Sequence, residues 1–203
     1  FILLIILCEF LATILHYIYF SGIMKKIKYL QDRNPGVPGI VYKLEPENEK
    51  QRKLQNARRL WTAVIEMSDI CDIYSGSLVE QNEYEIDHFV PWSFITNDEM
   101  WNLMPVNPSL NASKRDMLPN WDRYFLGFVQ NQFMLNQMIY KYEKLAHIFR
   151  ECRRDNLNSA WSVEELYVKN IKKNQFCKVL ESRLKPIYEL ARTQGYRIWM
   201  IGE

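Results

Sequence analysis

The sequence predicts a mainly helical α+β protein that contains one small unit of two strands and a helix. Apolar residues recur every three or four positions in several long stretches, which is the pattern of amphipathic helices. Between them, residues 84–106 are rich in the residue types that form strands. The composition, with 48% hydrophobic and 25% charged residues among 203, is typical of a globular protein that can bury a core.

The net charge and the cysteine content exclude few classes of function. A net charge of +2 neither requires nor excludes a nucleic-acid partner, so a nucleic-acid surface would need a local concentration of basic residues. The cysteines form no CxxC motif and no Cys/His pair at zinc-ligand spacing, so we expect no structural zinc. We expect reduced thiols rather than a disulfide framework. The cysteines are Cys8, Cys71, Cys152 and Cys177.

The first twenty residues are nearly all apolar, and as a helix they would be about 30 Å long, close to the thickness of a bilayer core. Glu9 and His16 would share one helix face, and no basic segment precedes the stretch as a signal peptide would need. We favour a buried helix; a membrane span and a processed leader are the alternatives. We expect residues 1–70 to form a helical segment. The chain starts at Phe1 rather than at methionine, so we expect this segment to be the end of a longer region.

A loop rich in proline and glycine separates this stretch from a second predicted helix, which starts near Pro46. An apolar stripe at helical spacing consists of Leu54, Ala57, Trp61 and Val64. The basic residues beside it are Lys50, Lys53, Arg58 and Arg59. We interpret them as a solvated helix face; phosphate contacts beside an active site are the alternative.

Residues 84–90 are predicted to form a strand that Pro91 ends, because proline has no N–H for a strand ladder. Consecutive strand residues face opposite ways, so Asp87 and His88 can serve one site only if the chain leaves regular strand geometry there. After a turn, residues 100–106 are predicted to form the returning strand.

A short helix is predicted to follow, with Asn107 as its N-cap and Pro108 in its first turn. Asn111 and Lys114 are three residues apart and would lie on one face of it. We expect the unit of strand, loop, strand and helix to present Asp87, His88, Asn111 and Lys114 toward a common point.

These residue types suit phosphodiester hydrolysis with one metal ion. Asp87 and the side-chain carbonyl of Asn111 are hard oxygen ligands, which favour Mg²⁺, with Mn²⁺ as a substitute. His88 can be neutral near pH 7 and take a proton from the attacking water. Lys114 could bind a substrate phosphate as a point charge.

The stretch resembles the HNH nucleases of the ββα-metal superfamily, and in detail the HNH domain of RNA-guided CRISPR effectors and HNH proteins of bacterial restriction and defence systems. The resemblance lies in IDH ending at His88, PxSF at 91–94, Asn102 placed 14 residues after the histidine, and NxxK from Asn111 to Lys114. It implies that His88 is the general base, that Asp87 and Asn111 hold the metal, and that Asn102 fixes the catalytic loop.

The sequence departs from the HNH pattern at two features: the cysteine pairs, and the third signature position, where Asn111 stands instead of a histidine and favours an oxygen-rich Mg²⁺ site. Many HNH proteins carry two CxxC pairs that bind a structural zinc. Here Cys71 remains from the first pair with Tyr74 in its second slot, and Asn107 and Leu110 occupy the later slots. We therefore expect a zinc-free variant that is held by packing, with an oxygen-rich Mg²⁺ site.

The remaining chain is predicted to be helical scaffold. We expect one long helix from Asp122 to Arg150, and a further helix that a capping box of Ser162 and Glu165 begins and that Pro186 ends or kinks. Residues 196–201 are predicted to be a strand or an extended tail. The predicted division is residues 1–70, an HNH core at 71–121, and a helical scaffold at 122–203.

The function predicted from these features is a metal-dependent endonuclease that cuts DNA in the cytoplasm of a bacterium, in a restriction or anti-phage defence system. Other subunits or domains would supply target recognition, since the core offers few base-reading groups. Double-strand cleavage would need a homo-oligomer or a second cleavage event. The alternative is a catalytically inactive module that retains the HNH shape and binds nucleic acid or a membrane.

Overall fold

The computed structural model describes residues 52–202, together with Gly22, Lys25 and Lys26. The apolar stretch of residues 1–20 and the predicted helix start at Pro46 lie outside the described residues. The described chain is α+β and mainly helical, as predicted. Its helices are α1 (Gln55–Ile65), α2 (Trp92–Ile95), α3 (Pro108–Lys114), α4 (Trp121–Lys141), α5 (Glu143–Asn156) and α6 (Lys173–Thr193). Its strands are β1 (Glu85–His88), β2 (Leu103–Val106), β3 (Leu118–Pro119) and β4 (Ile198–Trp199).

Two strand pairs organise the middle of the chain. β1 pairs antiparallel with β2, in a register that places Glu85 opposite Val106 and His88 opposite Leu103. β3 pairs parallel with β4, so of the two alternatives for residues 196–201 the strand forms, over Ile198–Trp199. The returning strand is shorter than predicted, because Met100–Asn102 form a turn of 3-10 helix before β2 begins.

The long helix predicted from Asp122 to Arg150 is wrong, because Tyr142 interrupts it. Tyr142 has extended backbone angles (φ −122°, ψ 119°) and separates α4 from α5. Its N–H still donates to Met138 O, and its carbonyl accepts from Ala146 N, so one residue ends the first helix and begins the second. The break lets α5 pack against both α1 and α4.

The predicted start of the last helix is wrong, and so is the alternative in which Pro186 ends it; a kink at Pro186 stays a prediction. Residues Ser162–Leu166 form a separate π-helical turn, and the Ser162 hydroxyl donates to Ser159 O at 2.6 Å instead of capping a helix. α6 begins at Lys173 and continues past Pro186 to Thr193. Its buried residues sit on one face against the rest of the core, and this packing compensates for the backbone hydrogen bond that proline removes.

One hydrophobic core joins these elements. Its largest buried side chains come from α1, the β1–β2 region, α4, the segment before α6, and α6. Within the described part of the chain Cys71, Cys152 and Cys177 carry free thiols. No helix among the described residues is long and apolar enough to span a bilayer.

Candidate active site

β1 positions the predicted catalytic pair at its C-terminal end. Asp87 is opposite Met104 and His88 is opposite Leu103, so both residues still have regular strand pairing with β2. The chain leaves the strand only after His88. As alternation along a strand requires, the two side chains have different partners, although both are more than nine-tenths buried.

Asp87 is held by three donors. Its Oδ1 accepts from Lys114 Nζ at 3.0 Å and from the His88 backbone N–H at 2.7 Å, and its Oδ2 accepts from the Tyr74 hydroxyl at 2.8 Å. Burial, and then the negative charge of Asp87, raise the pKa of Tyr74 well above its ordinary value. The phenol therefore stays protonated and donates to the carboxylate.

Lys114 lies in the interior, at the last turn of α3. Its side chain has no exposed surface, and its ammonium donates to Asp87 Oδ1 and to the His88 backbone carbonyl at 2.9 Å. Because burying a charge is costly unless it is paired, the Asp87 carboxylate accounts for the position of this cation. The structure thus brings Lys114 and Asp87 together, with the ammonium turned to the protein rather than to solvent.

The His88 ring contacts a residue that the sequence analysis placed only in a turn. His88 Nε2 is 2.9 Å from Asp98 Oδ1, and both side chains are buried. Asp98 follows α2 in the loop that leads to β2. Nothing in the sequence pattern connected Asp98 with His88, because a histidine partner ten residues away depends on the path of the intervening loop.

Asn102 fixes the chain just after β1. Its Oδ1 accepts from Val90 N and its Nδ2 donates to Val90 O, both at 2.8 Å, and the residue is fully buried. Its own carbonyl accepts from Phe89 N at 2.8 Å. These three bonds hold the two residues that follow His88 against the start of β2.

Asn111 lies on the outer side of α3 and contacts Glu85 of β1 rather than Asp87. Its Nδ2 donates to Glu85 Oε2 at 2.6 Å. No hydrogen bond joins Asn111 to Asp87 in the described structure. The predicted N-cap of α3 is confirmed, since Asn107 Oδ1 accepts from Ser109 N and Leu110 N.

The comparison with known families agrees with this arrangement. A family model described as HNH endonuclease matches residues 72–120, the part of the chain that contains β1, β2 and α3. Residues 72–120 belong to the HNH superfamily. We call them the HNH segment. No curated protein and no solved structure matches the chain.

In the HNH segment, the Asp72 carboxylate lies between Cys71 and Tyr74, the two positions that correspond to the first zinc-binding cysteine pair. Asp72 Oδ1 accepts from Tyr74 N and its Oδ2 accepts from Asn107 N, each at 2.7 Å. Asp72 is 3% exposed. It therefore ties the loop before β1 to the entry of α3 by hydrogen bonds, and the same loop supplies Tyr74 to Asp87. Sequence reasoning identified the Tyr74 position but not these contacts.

The described basic residues in and just before α1 are engaged within the protein, and Lys50 lies outside the described residues. Arg58 Nη1 donates to Tyr84 O at 3.1 Å, Arg59 pairs with Glu151, and Lys53 pairs with Asp155 at 3.5 Å. These contacts favour the interpretation of a solvated face that also ties α1 to its neighbours over that of a phosphate-binding row.

Proposed function

We propose that the protein is a metal-dependent endonuclease that hydrolyses DNA phosphodiester bonds. The observation that carries the proposal is the pair Asp87–His88 at the end of β1, inside a segment that matches the HNH endonuclease family. The order of two antiparallel strands followed by a helix supports the assignment of β1, β2 and α3 as the ββα-metal core.

The donor atoms of the site fit a hard cation. Asn111 uses its Nδ2 on Glu85, which leaves its Oδ1 available as a ligand. The Asp87 carboxylate accepts three hydrogen bonds out of about four lone-pair directions. No cluster of three or more His, Cys, Asp or Glu residues that could hold a metal occurs among the described residues. In this proposal Asp87 and Asn111 hold Mg²⁺ or Mn²⁺, with water and substrate oxygens completing the shell. We expect no structural zinc because the sequence lacks the two CxxC pairs.

When bound, such an ion supplies charge that stabilises a phosphoryl centre and its departing 3′-oxygen. Side chains of the protein accept the proton and fix the geometry. His88 takes a proton from the attacking water, since imidazole is the side chain best suited to this task near neutral pH. Asn102 holds the chain at Val90 and thereby fixes the end of β1.

Lys114 has a structural role in this account in addition to the predicted one. The buried ammonium offsets the charge of Asp87 and holds the His88 carbonyl. Direct contact of Lys114 with a substrate phosphate stays a prediction, and it would require the ammonium to exchange Asp87 for the phosphate.

We propose that residues 71–121 are the nuclease core and that residues 1–70 and 122–203 support it. Packing of α1 and α4 on β2 supports this division of labour. The cellular setting we propose is the cytoplasm of a bacterium, in a restriction or anti-phage system where other subunits or domains select the target. A single core would cut one strand, so double-strand cleavage would require a homo-oligomer or a second event.

Incubation of the full chain with supercoiled plasmid tests the proposal. Nicked circles should appear with Mg²⁺ and disappear when EDTA is added. A protein that shifts the plasmid on a gel but never nicks it with Mg²⁺ or Mn²⁺ would instead be the inactive nucleic-acid-binding module. Retention of the folded chain on liposomes without DNA binding would indicate the membrane-associated alternative.

A further inference from the structure

We propose that Asp98 is a positioning residue that holds His88 in the tautomer with its proton on Nε2, so that Nδ1 is the nitrogen that accepts a proton. This inference rests on the proposed role of His88 as general base and names the atom that performs it. The same geometry gives α1 and α5 a role in the site, because residues just before α1 and at the end of α5 hold Asp98 in place.

The first step is the contact itself. Asp98 Oδ1 is 2.9 Å from His88 Nε2, within a region where the aspartate is 7% and the histidine 4% exposed. A carboxylate can only accept hydrogen bonds, so the ring nitrogen that faces it must carry the proton. His88 Nδ1 has no hydrogen-bond partner among the described residues, and in the neutral ring it keeps the lone pair.

The second step is that Asp98 is itself fixed. Its Oδ2 accepts from the Lys53 backbone N–H at 2.5 Å, just before α1 begins. Asn156, the last residue of α5, donates its Nδ2 to Asp98 O at 2.7 Å and to Lys53 O at 2.9 Å. One carboxylate oxygen therefore accepts from the backbone just before α1, and the other faces the imidazole.

The loop that carries Asp98 is also held in an uncommon conformation. Thr96 has φ 56° and ψ 29°, the left-handed region that β-branched residues rarely adopt. Such backbone strain persists only where surrounding contacts over-determine it, and it is frequent at functional sites. The contacts of Asp98 with Lys53, Asn156 and His88 are contacts of this kind.

The substitution Asp98→Asn should change the hydrogen bond to the His88 ring while keeping the size and shape of the side chain. In Asp98→Asn the Lys53 N–H still needs an acceptor, so the amide oxygen should face Lys53 and the amide NH₂ should face His88. An NH₂ group can only donate, and His88 Nε2 would have to become the acceptor, which moves the ring proton to Nδ1. The same exchange in a Ser-His-Asp triad yields the wrong tautomer and lowers kcat about 10⁴-fold.

The direct test is the ring tautomer, read by long-range ¹H–¹⁵N spectra of the full chain labelled with ¹⁵N-histidine. His88→Ala assigns the signals, and about pH 8.5 keeps an ordinary imidazole neutral. We expect an Nε2–H ring for His88 in the unaltered protein and an Nδ1–H ring in Asp98→Asn. An Nδ1–H or doubly protonated ring in the unaltered protein would overturn the inference, whether or not the variant folds.

The kinetic test uses Asp155→Asn as the matched control. Asp155 is also acidic and pairs with Lys53, but it does not contact His88. We expect Asp98→Asn to lower kcat for plasmid nicking about 100-fold or more with KM changed by less than about twofold, since general-base catalysis contributes this much. Asp155→Asn should leave both unchanged. Equal loss in the two variants, or a loss confined to KM, would contradict a positioning role.

These readouts keep two failures apart. If the unaltered protein does not cleave DNA, the proposed function fails and the spectra alone decide the tautomer. If the protein cleaves DNA and Asp98→Asn keeps both its rate and an Nε2–H ring, the inference about Asp98 fails while the nuclease assignment stands.

Discussion

The Lys114 ammonium lies 3.0 Å from Asp87 Oδ1 and has no exposed surface. Removal of one partner from a buried ion pair leaves an uncompensated charge. We therefore expect Lys114→Met to lower the free energy of unfolding by about 3–5 kcal/mol, measured by urea denaturation. The neighbouring Arg115 is exposed, so Arg115→Ala is the control and should change stability by less than about 0.5 kcal/mol. Similar stabilities for the two variants would show that the pair does not form.

The salt dependence of DNA binding separates the two roles of Lys114. A lysine that contacts phosphate releases about one counterion, so its loss should reduce the salt slope by about one. The buried ion pair predicts that Lys114→Met leaves this slope unchanged at temperatures where the variant is folded. A reduced slope would support the phosphate contact instead.

Tyr74 supplies a hydrogen bond to the same carboxylate from another loop. Tyr74→Phe removes the hydroxyl and keeps the ring contacts with Tyr124 and Trp199. A hydrogen bond to a charged group contributes about 1.5–3 kcal/mol, and we expect a loss of that size in thermal or urea unfolding. Tyr196→Phe is the control, because that hydroxyl bonds Ser93 at the surface. An unchanged stability in Tyr74→Phe would contradict the contact.

Asn102 satisfies two backbone groups of Val90 at once. Asn102→Ala leaves a buried N–H and a buried C=O without partners, and we expect a loss of about 3 kcal/mol in unfolding free energy. Plasmid nicking should fall as well, since the residues after His88 lose their anchor. Asn174→Ala, at an exposed site on α6, should change neither quantity. A stable but inactive Asn102→Ala would mean that Asn102 acts on the chemistry rather than on the loop.

Cys152 allows a test of the core that is independent of nuclease activity. Burial raises the pKa of the Cys152 thiol to about 12, so almost no thiolate exists at pH 8, whereas Cys71 is exposed. Brief alkylation with iodoacetamide, mapped by mass spectrometry, should label Cys71 and spare Cys152. Reactivity of Cys152 should rise only as the pH approaches 12 or the protein unfolds. Equal labelling of both at pH 8 would contradict the packing of α5.

The local features of the fold were predictable from sequence. Strand-forming residues before Pro91 gave β1, and the Asn107–Pro108 pair gave the start of α3, because caps and strand ends depend on neighbouring residues. The break at Tyr142 and the continuation of α6 through Pro186 were not predictable, since tertiary packing overrode local preference at both.

For the candidate site too, some features were predictable from the sequence and others were not. Residue types and spacing identified Asp87, His88, Asn111 and Lys114, the resemblance to HNH nucleases added Asn102, and the catalytic roles of all five stay predictions. The sequence could not reveal that Lys114 points inward to Asp87, that Asp98 faces His88, or that Asp72 bridges two loops. Each of these contacts joins residues whose proximity depends on the folded path of the chain.

The central claim is most directly tested by the rate of Mg²⁺-dependent plasmid nicking in two histidine variants. His88 is buried at the end of β1, whereas His147 is 65% exposed on α5. We predict that His88→Ala lowers the nicking rate at least about 100-fold with a folded protein, and that His147→Ala leaves it unchanged. Nicking by His88→Ala at the rate of the unaltered protein would contradict the account.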